Sequence, residues 1–141
     1  MLGVFDESDV ICGYSRREAI EDGALVDVSE MAQMLGFRVP VAMTRAAWCD
    51  CVEWTAEDEG RKGIIGYQDM GKRLEDVLWR ARTAGISKLG WLRFERRVLF
   101  DLWRVPAAGC DLHARRVTLA MLIHEGDEGE TVATIMLPSE D

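Results

Sequence analysis

Two apolar segments near the end of the chain, joined by a glycine-containing turn, constrain the fold more than any other feature. RVTLAMLI at 116–123 and TVATIMLP at 131–138 are rich in β-branched and large apolar residues, and EGDEGE at 125–130 lies between them. Strand-like runs separated by a short turn with glycine are typical of a β-hairpin. The preceding segment 97–105 alternates apolar and polar residues, which favours a third strand, although the apolar spacing of residues 91–103 also fits a helix. The choice between helix and strand for residues 88–97 stays open.

Capping patterns predict several helices before this region. Ser15 followed by Glu18 is a capping box, and Gly23 supplies a left-handed stop, so a short helix is expected between them. Ser29 and Thr44 are placed to cap a second and a third short helix.

A longer helix is predicted in the middle of the chain. From Asp69 onward, apolar residues recur at spacings of three and four, and Gly85 is expected to end the helix. The segment 55–66, between this helix and the third short one, has no clear period and is expected to be a surface loop.

These elements predict a single domain over residues 1–141, which is long enough to bury a core without disulfides. The expected fold class is α+β, with short N-terminal helices, one long central helix and a C-terminal three-stranded antiparallel meander.

The composition argues against a membrane protein or a secreted protein. No apolar run approaches the roughly 20 residues of a membrane helix. The N-terminal MLGVFDESDVI carries acids where a secretory signal needs basic residues, and the four cysteines are irregularly spaced. The sequence therefore predicts a cytoplasmic protein with reduced thiols and no membrane partner.

Charge is distributed in blocks. Residues 1–60 hold 13 acids and 4 bases, residues 61–116 hold 6 acids and 13 bases, and residues 117–141 hold 6 acids and no base. Blocks of this kind create a field that can steer a partner, unless they neutralise one another in the folded chain. Seven acids from the two negative blocks are the candidate binding residues, namely Glu18, Glu21, Asp22, Asp27, Asp127, Glu128 and Glu130.

No catalytic or metal-binding pattern is evident elsewhere. Cys49 and Cys51 are two apart on a predicted helix, so their side chains point in different directions and cannot grip one ion. His113 and His124 flank a predicted strand. Exposed histidines are common at strand ends, so their positions do not indicate a catalytic site. The sequence contains no phosphate-binding glycine loop, nucleophile elbow or zinc spacing. We therefore assign no catalytic residue, no metal ligand and no cofactor.

Four stretches carry a family resemblance: YSRREAIEDGALVDVSE at 14–30, FRVPVAMTRAAW at 37–48, RLEDVLW at 73–79 and GDEGETVATIMLPSED at 126–141. The chain resembles a family of small proteins of phages, plasmids and integrative elements that is classed as a domain of unknown function. The insert around RTAGISKLGWLRFER departs from that pattern. The resemblance brings no active site, and it implies a mobile-element context in which small cytosolic proteins often inhibit host defence complexes.

The leading hypothesis is a non-enzymatic acidic binding protein that inhibits a host defence complex with a basic surface, of the anti-CRISPR or anti-restriction type. One alternative is a small hydrolase or nucleotide-modifying enzyme that uses Asp or Glu and a histidine. Another is a regulatory factor whose basic block contacts nucleic acid, which the acidic blocks oppose at long range. The oligomeric state and the identity of the target stay open.

Overall fold

The computed structural model describes residues 14–63, 68–89, 97–109 and 111–140. The elements in chain order are α1 (Arg16–Asp22), β1 (Leu25–Asp27), α2 (Ser29–Met34), β2 (Val41–Thr44), α3 (Arg45–Cys51), α4 (Ala56–Lys62), α5 (Met70–Leu89), β3 (Arg97–Arg104), β4 (Arg115–Glu125) and β5 (Thr131–Met136). The open choice at 88–97 falls mostly on residues 90–96, which lie outside the described ranges. The strand expected from residue 97 is confirmed as β3.

All these strands form one five-stranded sheet in the order β1-β2-β5-β4-β3. Neighbouring strands are antiparallel except β2 and β5, which run parallel, with Val41 opposite Ala133 and Met43 opposite Ile135. Strand β5 is therefore a central strand that is paired on both sides.

The predicted fold class is wrong in its architecture. The C-terminal strands are not a separate three-stranded antiparallel meander, because β1 and β2 from the N-terminal third extend the same sheet through a parallel pair. The fold is thus α+β with a five-stranded mixed sheet, and not short N-terminal helices and one long central helix followed by a three-stranded meander. The reason is burial: Val41, Ala42 and Met43 are fully buried, and five of the six residues of β5 (Val132–Met136) are buried. Strands covered on both faces read as continuous apolar runs, and such strands suit the interior of a sheet.

The helices α2, α3 and α5 pack against one face of the sheet. Ala32, Ala47, Leu78 and Ala81 from these helices share a core with the strand residues that point toward them, among them Val41, Met43, Phe100, Leu102, Leu119, Met121, Ala133 and Ile135. Because side chains alternate along a strand, Ala42 and Thr134, which face each other in register, lie on the opposite face. Helix α1 contacts that opposite face through Arg16, which hydrogen-bonds Thr134.

The local predictions had mixed outcomes. The capping box of Ser15 and the Thr44 cap are confirmed. The segment predicted to be a loop contains α4, whose own capping box is formed by Thr55 and Asp58. Helix α5 continues past Gly85 to Leu89, so the predicted stop is wrong. The hydroxyl of Ser29 does not cap α2; it hydrogen-bonds the backbone of Val41 and so joins the start of α2 to β2.

Within the described residues, no helix is long and apolar enough to cross a membrane.

Candidate functional site

Helix α1 is a short helix whose ends are fixed by its own sequence. The hydroxyl of Ser15 accepts from the Glu18 backbone N–H at 3.0 Å, and the Glu18 carboxylate accepts from the Ser15 N–H at 3.2 Å. Gly23 ends the helix in the left-handed region, at φ 83°. Glu18, one of the predicted binding residues, therefore has a structural role, and its charge lies at the favourable end of the helix dipole.

A second carboxylate reaches the start of α1 from the turn between β4 and β5. The two oxygens of Asp127 accept from the backbone N–H groups of Arg16 at 2.8 Å and Arg17 at 3.0 Å. These two N–H groups, that of Arg17 most strongly, hold the pKa of Asp127 below its usual range. The contact spans 111 positions of sequence, and it brings the two negative blocks of the chain together.

The turn that carries Asp127 contains two glycines and is closed by Glu130. The Gly126 N–H donates to the Glu130 carbonyl at 2.6 Å, and a Cβ at Gly126 would lie 2.6 Å from the Glu130 carboxylate. Gly129 has a φ of 81°. The Glu130 carboxylate also accepts from the Glu128 N–H at 2.9 Å. Glu130 thus closes the turn and holds Asp127 in position beside α1.

Arg16 joins α1 to the sheet. Its guanidinium donates to the Thr134 hydroxyl at 3.0 Å and to the Ala133 carbonyl at 3.1 Å. Burial lowers the pKa of Arg16, while Asp27, Asp127 and Glu130 favour its charged form. The charges of three predicted binding acids therefore act on this half-buried guanidinium, one from β1 and two from the distant turn.

The Thr134 hydroxyl is shared with a histidine. His124 Nε2 lies 2.7 Å from Thr134 Oγ1, and His124 Nδ1 lies 3.0 Å from the Glu125 carbonyl. A carbonyl oxygen can only accept, so Nδ1 carries the hydrogen, and in the neutral ring Nε2 accepts from the Thr134 hydroxyl. Arg16, Thr134 and His124 thus form a directed chain of hydrogen bonds that crosses from β5 to β4.

The remaining predicted acids lie around the same helix or in the same turn. Asp22 accepts from the Tyr14 hydroxyl at 2.9 Å, and this hydrogen bond raises the pKa of Tyr14. Asp27 accepts from the N–H of Ser29 at 3.0 Å and from its hydroxyl at 2.6 Å. Glu21 and Glu128 are exposed. We call the surface formed by Glu18, Glu21, Asp22, Asp27, Asp127, Glu128 and Glu130 the acidic face.

The acidic face contains arginines but keeps an excess of acid. Against its seven carboxylates stand Arg16, Arg17 and Arg45, and Arg45 donates to the Gly23 carbonyl at 2.9 Å. The cations of residues 61–116 bond elsewhere: in the described part of the chain, the ion pairs are Arg61–Asp58, Arg104–Asp50, Arg115–Asp111 and Arg116–Asp101. None of these pairs joins the positive middle of the chain to the acidic face.

The other candidate groups show no catalytic arrangement in the described ranges. His113 is exposed, and its backbone N–H is the main cause of a lowered pKa at Asp111. Cys51 is buried while Cys49 is exposed, and burial, followed by the charge of Asp50, raises the pKa of the Cys51 thiol to about 12. No group of three or more His, Cys, Asp or Glu among the described residues could hold a metal ion.

The sequence pointed to the acids, but it did not predict the groups that bring them together. Arg16, Thr134 and His124 were not predicted to meet. The available signals were a threonine in an otherwise apolar central strand and an arginine directly after a helix cap. A buried hydroxyl in such a strand requires hydrogen-bond partners, although sequence alone does not say which.

Comparison with known proteins gives a family match. A model described as "Family of unknown function (DUF6573)" matches residues 1–141, which confirms the predicted resemblance to a family of unknown function. No curated protein and no solved structure matches the chain.

Proposed function

We propose that the chain, which belongs to the DUF6573 family, is a non-enzymatic binding protein that contacts a basic partner through its acidic face. The observation that carries the proposal is the pair of hydrogen bonds from Arg16 and Arg17 to Asp127, at 2.8 and 3.0 Å. These bonds unite two acidic segments from opposite ends of the chain on one surface. A surface assembled in this way presents several carboxylates on short, capped elements, and such fixed charges steer a basic partner at long range.

The partner we propose is a host defence complex of the CRISPR or restriction type. Such complexes have basic channels for nucleic acid, and carboxylates held on a rigid surface can occupy positions that phosphates would take. The proposal includes a mobile-element context, which the resemblance seen in the sequence implies, and an inhibitor of this kind would act in the cytoplasm. The proposal includes no direct contact of the chain with nucleic acid, because the acidic face would repel phosphates.

The acids of the face divide into two groups by what they contact. Four acids bond backbone N–H groups within the chain and so hold the face together, namely Glu18, Asp27, Asp127 and Glu130. Glu21 and Glu128 are exposed, and we assign partner contact to these two and to Asp22, which bonds only the Tyr14 hydroxyl among the described residues. Truncating a side chain whose contact is buried in the complex would cost about 2–5 kcal/mol of binding free energy. Truncating one at the rim would cost far less.

The test is a triple variant that removes charge without removing a cap, Glu21→Gln with Asp22→Asn and Glu128→Gln. The tagged full chain is mixed with purified CRISPR effector and restriction complexes, and binding is measured over a series of KCl concentrations. For three exposed contacts of ordinary strength we expect affinity to fall roughly 3- to 30-fold, and its dependence on salt to become shallower.

The matched control removes the same charge from another surface, through Glu57→Gln, Glu75→Gln and Asp76→Asn, all at exposed positions. We expect the control to bind like the unmodified chain. Binding that withstands high salt, or that both triple variants weaken equally, would reject an electrostatic contact through the acidic face.

A further inference from the structure

A second site lies on the helical side of the sheet, away from the acidic face. A cavity of about 350 Å³ lies between the loop after α2, helix α5 and strand β4. Its apolar lining comes from Phe37, Met121 and Ile123. The guanidinium-bearing side chains of Arg38 and Arg82 complete the lining, together with Gly36 and Gly85. The volume lies at the small end of the range for pockets that bind small molecules.

Arg82 is held in place by its surroundings. Its guanidinium carbon lies 5.9 Å from the centre of the Trp79 ring, within the range of a cation–π contact. On the other side it approaches the backbone of Gly36, where a Cβ would lie only 2.8 Å from Arg82 Nε. Gly36 also has a φ of 100°, which a side chain rarely permits. Glycine at this position therefore leaves room for the guanidinium.

The cavity carries positive charge that the described residues do not neutralise. Among the described lining residues there is no Asp or Glu, and none of the ion pairs in the described ranges includes Arg38 or Arg82. Two guanidinium groups that share one cavity repel each other, and a bound anion relieves that repulsion. The planar forks of arginine suit the two oxygens of a carboxylate or the oxygens of a phosphate.

We propose that this cavity binds a small organic anion, with a carboxylate or phosphate between Arg38 and Arg82 and an apolar or aromatic body against Phe37, Met121 and Ile123. The site is distinct from the acidic face, and it selects the opposite charge. The test of this proposal is therefore independent of the test of the proposed function.

The test titrates the full chain with 2-naphthoate, which carries an aromatic body and a carboxylate. Affinity is measured by calorimetry, and the site is identified by the movement of the Gly36 and Gly85 amide signals in ¹H–¹⁵N NMR spectra. We expect saturable binding that moves both signals. We expect the neutral 2-naphthamide, which lacks the charge, and inorganic phosphate, which lacks the apolar body, each to bind at least about tenfold more weakly.

The variants are Arg82→Gln and Arg38→Gln, with Arg80→Gln as the control from an exposed position of the same helix. We expect each of the first two to weaken 2-naphthoate binding by about tenfold or more, and the control to leave it unchanged. Arg38 is exposed, so its substitution tests the site even where that of Arg82 disturbs the fold. No binding of 2-naphthoate, equal binding of the amide or of phosphate, or equal binding by Arg38→Gln would overturn the proposal.

Discussion

Replacing Thr134 by valine tests how α1 is attached to the sheet. Valine has nearly the shape of threonine and replaces its hydroxyl by a methyl group, at a residue that is only 6% exposed. The substitution leaves Arg16 Nη1 without its 3.0 Å acceptor and His124 Nε2 without its 2.7 Å partner. The expected result is a less stable protein in which α1 opens more readily from the sheet.

The magnitude follows from the two hydrogen bonds. A bond that involves a charged group contributes about 1.5–3 kcal/mol and a neutral one about 0.5–1.5 kcal/mol. Arg16 is only half-buried and keeps its bond to the Ala133 carbonyl, so water and that carbonyl offset part of the loss. We expect the free energy of unfolding to fall by about 2 kcal/mol, which is a large share of the 5–15 kcal/mol typical of a domain. The melting temperature should fall by roughly 5–10 °C.

The assay is urea unfolding, combined with hydrogen exchange of the α1 amides. Thr118→Val is the matched control, because the Thr118 hydroxyl donates to Asp101 at 2.5 Å in an exposed pair. We expect that control to change the free energy of unfolding by less than about 1 kcal/mol. If Thr134→Val costs no more than Thr118→Val, or if α1 keeps its full protection from exchange, the attachment described here is incorrect.

Three further predictions follow from the same structure. Burial alone would raise the pKa of Asp58, but hydrogen bonds, chiefly from the Thr55 N–H, lower it overall. Because the folded-state pKa is lowered, the ionised carboxylate stabilises the protein at pH values above the unfolded-state pKa. Asp58→Asn should therefore lower the free energy of unfolding by about 1 kcal/mol at neutral pH. In urea unfolding, this difference should vanish as the pH falls through the folded-state pKa. The thiol of Cys51, with its pKa raised to about 12, should resist iodoacetamide in the native state at pH 8, whereas the exposed Cys49 should react, as peptide mass spectrometry would show. Ile135→Ala, at a fully buried position of the central strand, should lower the free energy of unfolding by about 2–5 kcal/mol, and a loss below about 1 kcal/mol would contradict the assigned core.

Two of the three predicted helix caps, those of Ser15 and Thr44, are confirmed. The capping box at Ser15 and the cap at Thr44 depend on residues within three positions of each other, and both helices begin where the sequence indicates. Helix α4 was missed although Thr55 and Asp58 carry the same capping pattern, because its charged residues show no apolar period. A capping box was thus a better guide here than periodicity.

The sheet could not be predicted in the same way. Its parallel pair joins Val41 to Ala133, and nothing local to either segment specifies that partner. The apolar run at residues 41–43 is only three residues long, although all three of its residues are fully buried. Pairing between distant strands depends on the whole core, and a three-residue run does not encode it.

In the candidate site, too, the local features were predictable and the long-range contacts were not. Counting charges located the two negative blocks to which the seven acids belong. Their assembly into one face depends on Asp127 reaching the first two N–H groups of α1. The capping box of Ser15 and Glu18 satisfies only the N–H groups of those two residues. The sequence therefore shows that the Arg16 and Arg17 N–H groups need acceptors, but it does not show that Asp127 supplies them.

The most direct test of the acidic face is an NMR titration of the Arg16 and Arg17 amides. An amide that donates to a carboxylate changes its chemical shift when that carboxylate is protonated. We expect both amides to titrate together at a pH below the ordinary range for aspartate, because the Arg17 and Arg16 N–H groups lower the pKa of Asp127. In Asp127→Asn that titration should disappear from both amides. Amides that ignore pH in the unmodified chain, or that titrate unchanged in Asp127→Asn, would show that the two acidic segments do not meet.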